Sequence, residues 1–523
     1  MALPLPLPLL SVLSISAWSA AGYLAYLVLY RCFLSPLARL PGPKLAALTS
    51  WYECYYDVAK SAQYVFKIKE MHAEYGPIVR IGPNDVSIAD PEFVDTIYAP
   101  GPGHKRDKDH EKNKALGVDS SVGGSITHEL HRRRREALNP FFSPQRIGRL
   151  DPELKSRTRQ LEIIFAKVKD DGEVLNLSDV YFAFANDIVH NYCFGNSPNL
   201  LGDLQLAGIR RTNVAAVLGS VKIMLHFGWL RDLMQMLPPS IGSKMMPPGV
   251  RDMMAFRKDI RAQIDRILAG GRALDDEKER PPSIFSHLRD ISLLPEPEKS
   301  AQRLEDEAVL MTMAGTYSPM LSLVLAHYHL LAKPEIMAKL RAELDANPSS
   351  IKASQLEQLP YLSGIIQEAH RLTFGLTGRN PRVCPDETLV YRYRANNMAY
   401  AYVIPPGTSL SASTLLIHTD ESVFPDPWRF DPQRWISDDD QTNLARRRRS
   451  MLAFMRGPRA CVGMHLANAE MAVALAAMAR WDIKLFETTE EDVAFLHDYH
   501  VLCPRLGSKG VRVQVVGPRS AEE

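Results

Sequence analysis

Hydrophobic and polar positions change texture several times along this chain. The first thirty residues carry no charge, and Leu9–Tyr30 is apolar enough to cross a bilayer as one helix. A cleaved signal peptide would carry a basic start and a shorter apolar run, and neither is present. Ser35-Pro36 through Leu40-Pro41-Gly42-Pro43 reads as a stiff, non-helical hinge. After Tyr75-Gly76-Pro77, Ile78–Ile81 and Val86–Ile88 flank a Gly-Pro-Asn-Asp turn and predict a hairpin. Asp90-Pro91 predicts a helix start, with Asp as cap and Pro first. Gly101–Gly124 has no periodicity and reads as a long loop. From 152 to 300, helical patterns alternate with polar breaks, and Tyr181–Tyr192 shows an apolar aromatic face suited to a core. Gly208–Pro248 is rich in Met, Leu and Phe and ends in Pro238-Pro239 and Pro247-Pro248. Arg303–Ala332 predicts a long apolar-dense helix stopped by Lys333-Pro334. Leu362, Ile365, Ile366 and Ala369 share one helical face, and an Ala/Met/Leu-rich helix is predicted from Met464 to Arg480. The pattern as a whole is mainly α, with minor strand-like stretches.

Composition narrows this picture modestly. A net charge of +2 over 523 residues, with 23% charged, gives no bias toward nucleic acid. The six cysteines are scattered without a Cys-x-x-Cys pair, which excludes a disulfide scaffold and fits a reducing compartment. Arg31, Arg39 and Lys44 follow the apolar run, so the positive-inside rule places the bulk of the chain in the cytosol. The sequon at Asn176 would then stay unglycosylated.

The chemistry concentrates at Phe454-Met455-Arg456-Gly457-Pro458-Arg459-Ala460-Cys461-Val462-Gly463. A cysteine just before a helix N-terminus sits where the dipole favours thiolate. Gly457 and Gly463 permit tight turns and close approach of a flat ligand. Arg459 suits a carboxylate such as a haem propionate, and Phe454 offers an apolar lid over the sulfur. The set suits iron held by one sulfur on one face of a porphyrin. A buried structural cysteine, or a zinc site using Cys461 and His465, are the alternatives; the latter lacks paired ligand spacing.

The decapeptide resembles the haem-ligand loop of the cytochrome P-450 superfamily at every defined position, and other stretches follow in order. Glu368-Ala369-His370-Arg371 resembles the family's E-x-x-R, whose partner in F-x-P-E-R-W is matched by Arg434 within Phe430–Trp435. His131 and Arg135 resemble the W-x-x-x-R helix, with histidine in the tryptophan place, both facing haem propionates. Arg382 is expected at a propionate too. Ala314-Gly315-Thr316-Tyr317-Ser318-Pro319 resembles A/G-G-x-D/E-T-T, where the small pair makes a dioxygen groove. Here Tyr317 replaces the acid and Ser318 the threonine. Thr316, Tyr317 and Ser318 form the expected catalytic set, and Pro319 is expected to enlarge any kink.

The resemblance implies the cytochrome P-450 fold behind one N-terminal transmembrane helix: an anchor at 1–30, a proline-rich hinge at 31–45 and a haem-thiolate catalytic domain at 46–523. It implies haem b with Cys461 as thiolate ligand, located at the endoplasmic reticulum membrane. It implies NADPH–cytochrome P-450 reductase as electron donor, with cytochrome b5 as a second. Gly208–Pro248 corresponds to the access-channel roof, and Arg446–Arg449 reads as a solvated run or a donor-docking face. The texture is similar to filamentous-fungal members near the trichodiene-oxygenase-like group, which implies oxidation of a lipophilic terpenoid or polyketide intermediate. Two rivals stay open: a haem-thiolate isomerase or dehydratase needing no external dioxygen, motivated by Tyr317-Ser318-Pro319, and a non-catalytic membrane haem-binding protein.

Overall fold

The uncharged N-terminal run is helical from Leu7 to Leu29 (α1). At 1.5 Å per residue it is about 35 Å long, enough for a hydrocarbon core of about 30 Å. Val12, Ile15, Trp18 and Leu24 on it are exposed. The computed structural model describes residues 7–113, 117–236, 248–270, 283–347, 352–395, 397–436 and 441–519. The proline-rich stretch after α1 is turn-like as expected, yet it is docked rather than free. Leu37 and Leu40 are buried, and Pro41 O accepts the Arg80 N–H at 2.7 Å. Gly42 sits at φ +143°, where a Cβ would lie 2.5 Å from Arg80 O, so only glycine permits this approach.

Seven further helices position the site. They are α2 (His128–Leu138), α3 (Leu177–Phe194), α4 (Leu204–His226), α5 (Pro248–Leu268), α6 (Ala301–Ala332), α7 (Pro360–Thr373) and α8 (Met464–Met478). Pro238, Pro239 and Pro247 lie outside the described residues. Helix α6 is the spine, packed by α3, α5, α7 and α8. It is long and apolar enough to cross a membrane, but most of that stretch is buried inside the protein, which makes it a core helix. Tyr181, Phe182, Phe184 and Ile188 on α3 are buried in the same core, as the aromatic face predicts.

A five-stranded sheet lies beside the helices. β1 (Ile78–Arg80) and β2 (Asp85–Ile88) form the expected antiparallel hairpin, Arg80 facing Val86. Asp90 caps the next turn by accepting the Glu92 N–H at 2.9 Å. Gly101–Gly124 departs from the expected structureless loop, because it contains β3 (Asp107–Lys108) and a helical turn at His110–Asn113. Its partner is β4 (Arg382–Val383), with Lys108 opposite Arg382. A two-residue strand that pairs so far along the chain leaves no local periodicity to read. β5 (Ser409–Ser411) pairs parallel with β2 and antiparallel with β4, giving the order β1-β2-β5-β4-β3.

Candidate active site

The loop before α8 is closed by its own backbone. Cys461 N–H donates to Phe454 O at 2.7 Å, and Ala460 N–H to Gly457 O at 3.0 Å. The two glycines serve different ends. Gly457 is at φ +70°, and a Cβ there would lie 2.2 Å from Tyr98 O, so its role is to admit a neighbouring chain segment rather than a flat ligand. A Cβ on Gly463 would lie 3.9 Å from Cys461 Sγ, so Gly463 is the residue that keeps the flank of the sulfur bare. Phe454 is partly buried, its ring edge-on to His370 at 4.6 Å.

Cys461 is exposed at its surface yet surrounded by protein. Burial pushes its thiol pKa up, while N–H groups of Gly463 and Met464 and the Arg135 guanidinium act in the opposite sense. Two helix-start N–H groups aimed at one sulfur are what a thiolate requires. His465 instead lines a small cavity with Asp151 and Glu357. Among the described residues, the group with metal-ligand spacing is Glu53, Asp57 and His226, without Cys461. Lys112, Arg379 and Lys222 already pair with its two acids.

Five basic side chains crowd together by the Cys461 loop, and of these Arg135 acts on the sulfur itself. Arg459 donates to Ser125 O at 2.8 Å and Ile126 O at 2.7 Å. Arg382 is buried over the Tyr98 ring, at 5.2 Å, and donates to Asn380 O and Pro381 O at 3.1 Å each. Arg135 donates to Ala460 O at 2.7 Å and Asn139 Oδ1 at 2.6 Å. Lys108 donates to Asn113 Oδ1 at 3.0 Å and to Gly123 O. His131 is buried one turn from Arg135 on α2. Among the described residues, none of the five makes an ion pair.

Their electrostatics follow from crowding. Burial first, then Arg382 and Arg459, pushes Lys108 down to about 7. Burial and then Arg382 lowers Arg459 to about 9. His131 falls to about 2 through burial, then Arg459, Lys108, Arg135 and Arg382, and is therefore neutral. A buried cluster of like charges is costly unless an anion meets it, so the donor set fits the two carboxylates of a haem edge. The rest of the HRRRR run divides: Arg134 is buried in a 2.6 Å ion pair with Glu298, while Arg132 and Arg133 are exposed.

Helix α6 separates the three residues expected to act together. Ala314 is exposed within the helix, Ser318 partly so one turn on, and Thr316 is buried. Thr316 lies about 200° around the helix from Ala314, donating to Thr312 O at 2.6 Å and accepting Asn186 Nδ2 at 3.0 Å. It therefore belongs to the α3 contact, not to the Ala314 face. Gly315 does not open a groove either, because a Cβ there would lie 2.7 Å from Val189 Cγ2 on α3. Burial raises Tyr317 to about 12, further from any acid role than a free tyrosine. Helix α6 runs unbroken through Pro319.

The expected Glu368–Arg371–Arg434 triad is assembled and buried. Glu368 Oε1 lies 2.7 Å from Arg371 Nη2 and 2.9 Å from Arg434 Nε, and Oε2 accepts Trp435 Nε1–H at 2.8 Å. Arg371 Nη1 donates to His418 O at 2.9 Å. Sequence reasoning missed His418 and Lys108. Of Arg446–Arg449, Arg446 donates to Ser422 O at 2.7 Å and Arg447 to Arg434 O at 3.1 Å; Arg448 and Arg449 are exposed.

Comparison with known proteins agrees with this geometry. The family model described as cytochrome P-450 matches residues 43–497. The cytochrome P-450 monooxygenase tpcC of Cochliobolus heterostrophus is 38% identical, over 98% of this chain and 98% of its own. The cytochrome P-450 monooxygenase pbrB of Penicillium brasilianum is 35% identical, over 95% and 97%. Conidiogenone synthase of Penicillium rubens is 33% identical, over 94% and 97%. With a family match over residues 43–497, and the thiolate loop and buried triad both in place, the chain belongs to the cytochrome P-450 family of haem-thiolate monooxygenases.

Proposed function

We propose that the chain holds haem b on Cys461 and oxidises a lipophilic terpenoid or polyketide intermediate of fungal secondary metabolism, using dioxygen and electrons from NADPH through a reductase. The observation that carries this reading is the convergence of Lys108, His131, Arg135, Arg382 and Arg459, without ion pairs among the described residues, beside Cys461. Bound there, haem would supply dioxygen activation and oxygen transfer to the substrate.

The residues divide the remaining work. Arg135, Arg382, Arg459 and Lys108 offset propionate charge, and neutral His131 donates one N–H. The N–H groups of Gly463 and Met464 temper the basicity of the sulfur. Ser318 presents a hydroxyl on the Ala314 side of α6, and with Tyr317 held protonated to about pH 12, proton delivery rests on Ser318 and ordered water. Exposed Arg132, Arg133, Arg448 and Arg449 suit an acidic electron donor. Exposed apolar side chains on α1 suit single-pass anchoring in the endoplasmic reticulum, with residues 1–30 as anchor, 31–45 as connector and 46–523 as the cytosolic catalytic part.

The test uses microsomes carrying the protein and a fungal reductase, supplied with a producing strain's metabolite extract under isotopically labelled dioxygen. A labelled, NADPH-dependent product is expected, and its mass identifies the substrate. An unlabelled product formed without NADPH would mean isomerisation or dehydration instead.

A further inference from the structure

A cavity of about 530 Å³ lies between α3, α4, α5 and α6. It touches α6 at Thr312, Met313 and Thr316, and includes neither Ala314, Ser318 nor Cys461. Since Thr316 is about 200° around the helix from Ala314, this space lies behind α6, away from the sulfur. Its size falls within the roughly 300–1,000 Å³ of pockets that take drug-sized ligands.

Apolar side chains, among them Phe182, Leu206, Ile209, Val214, Phe256 and Ile260, supply most of its wall, and the charged Arg210, Asp252, Asp259 and Arg266 line it as well. Set among them are three side-chain acceptors and one hydroxyl. Asn186 is 7% exposed, and its Oδ1 has no partner. The amide orientation is fixed, because Nδ2 donates to Thr316 Oγ1 and that hydroxyl already donates to Thr312 O. One turn along α3, His190 Nδ1 meets Asn196 O at 3.0 Å. A carbonyl only accepts, so Nδ1 carries the proton, and burial keeps the ring neutral by lowering its pKa. His190 Nε2 is thereby left as an acceptor. Gln263 Oε1 is likewise a buried, unpartnered acceptor, and the unpartnered Thr312 hydroxyl can donate as well as accept. Across the exposed side, Asn213 Nδ2 donates to Asp252 Oδ2 and joins α4 to α5.

We infer that this cavity is a second ligand site, for an apolar molecule carrying hydroxyl groups. Apolar walls select the hydrocarbon body, and the unpartnered Asn186 Oδ1 calls for a donor that a hydrocarbon lacks. This reading is independent of which substrate is oxidised beside Cys461.

The test is equilibrium dialysis of the haem-loaded, detergent-solubilised protein with radiolabelled farnesol, in the presence of saturating ketoconazole to block the iron side. Wild type is compared with Val214→Phe, which fills the cavity, so that partition into detergent cancels. One ketoconazole-resistant farnesol per chain is expected in wild type and none in Val214→Phe, with farnesene, the hydrocarbon probe, bound about tenfold more weakly, the equivalent of one hydrogen bond. Should Val214→Phe lose its haem spectrum, Gln263→Leu on α5 takes its place, with farnesol binding weakened severalfold. No ketoconazole-resistant farnesol in wild type, equal binding by a variant that keeps its haem spectrum, or equal binding of farnesol and farnesene would overturn the assignment.

Discussion

His418 Nε2 accepts the backbone N–H of Leu452 at 2.8 Å, while Nδ1 of the same ring donates to Arg371 O at 2.8 Å. One neutral imidazole thus ties Arg371, the buried triad's arginine on α7, to the chain entering the Cys461 loop. Protonation would cost the Leu452 bond, and burial holds the ring pKa down to about 3 from an ordinary 6.5. A depressed folded-state pKa contributes stability that is full above 6.5 and is lost as pH falls toward 3. His418→Phe should lower stability at pH 7 by about 1–3 kcal/mol, for the buried Leu452 N–H left unpaired, while Arg371 O keeps the Phe374 N–H at 3.2 Å. Urea unfolding at pH 7 and pH 5 should show the variant losing less between the two than wild type.

Lys108→Met should weaken the hold on haem, because it removes one of the cations crowded beside Cys461. We expect transfer of haem to an acceptor apoprotein to be faster by about tenfold, one charge-assisted hydrogen bond. Arg132→Ala, at an exposed neighbour, should leave the transfer rate unchanged. In the haem-free chain the sign reverses: Lys108 has a folded pKa of about 7 against an ordinary 10.5, so the wild type should gain stability as pH rises between those values and Lys108→Met should not.

Ser318→Ala and Thr316→Val should part company. The first removes the hydroxyl on the Ala314 face, and peroxide released per NADPH consumed should rise severalfold. The second removes the hydroxyl bonded to Asn186 and Thr312 O; it should lower thermal stability and leave peroxide release near wild type. Equal uncoupling in both would show that the two faces of α6 are not separate.

Gly315→Ala should destabilise the fold by about 1–3 kcal/mol, because its Cβ would meet Val189 Cγ2 at 2.7 Å. Val189→Ala alone should cost stability by leaving space, and the double variant should recover much of the Gly315→Ala loss. A melting series of the four proteins reads this coupling directly.

Cys461, Glu368, Arg371 and Arg434 were legible because each sits in a short motif whose spacing survives in sequence. The long core helix was legible from its apolar density and its Lys333-Pro334 stop. Lys108 was hidden in a stretch with no periodicity, since its strand exists only through pairing with Arg382. His418 was hidden because its two bonds join backbone groups, Leu452 N and Arg371 O, which carry no residue identity. Thr316 was grouped with Ser318 by adjacency alone, and a helix puts positions two apart on opposite faces.

The sheet that brings β3 and β4 together also sets an order of events during synthesis. Asn84 donates to Gly407 O across 323 residues, and Arg459 to Ser125 O across 334. At about 5–20 residues per second, a ribosome needs on the order of fifteen seconds to a minute to span such a gap. For that interval the β1–β2 hairpin and the Lys108 strand have left the ribosome without their partners. Closure of the proposed haem site, which needs Lys108, Arg382 and Cys461 together, therefore waits until nearly the whole chain has emerged.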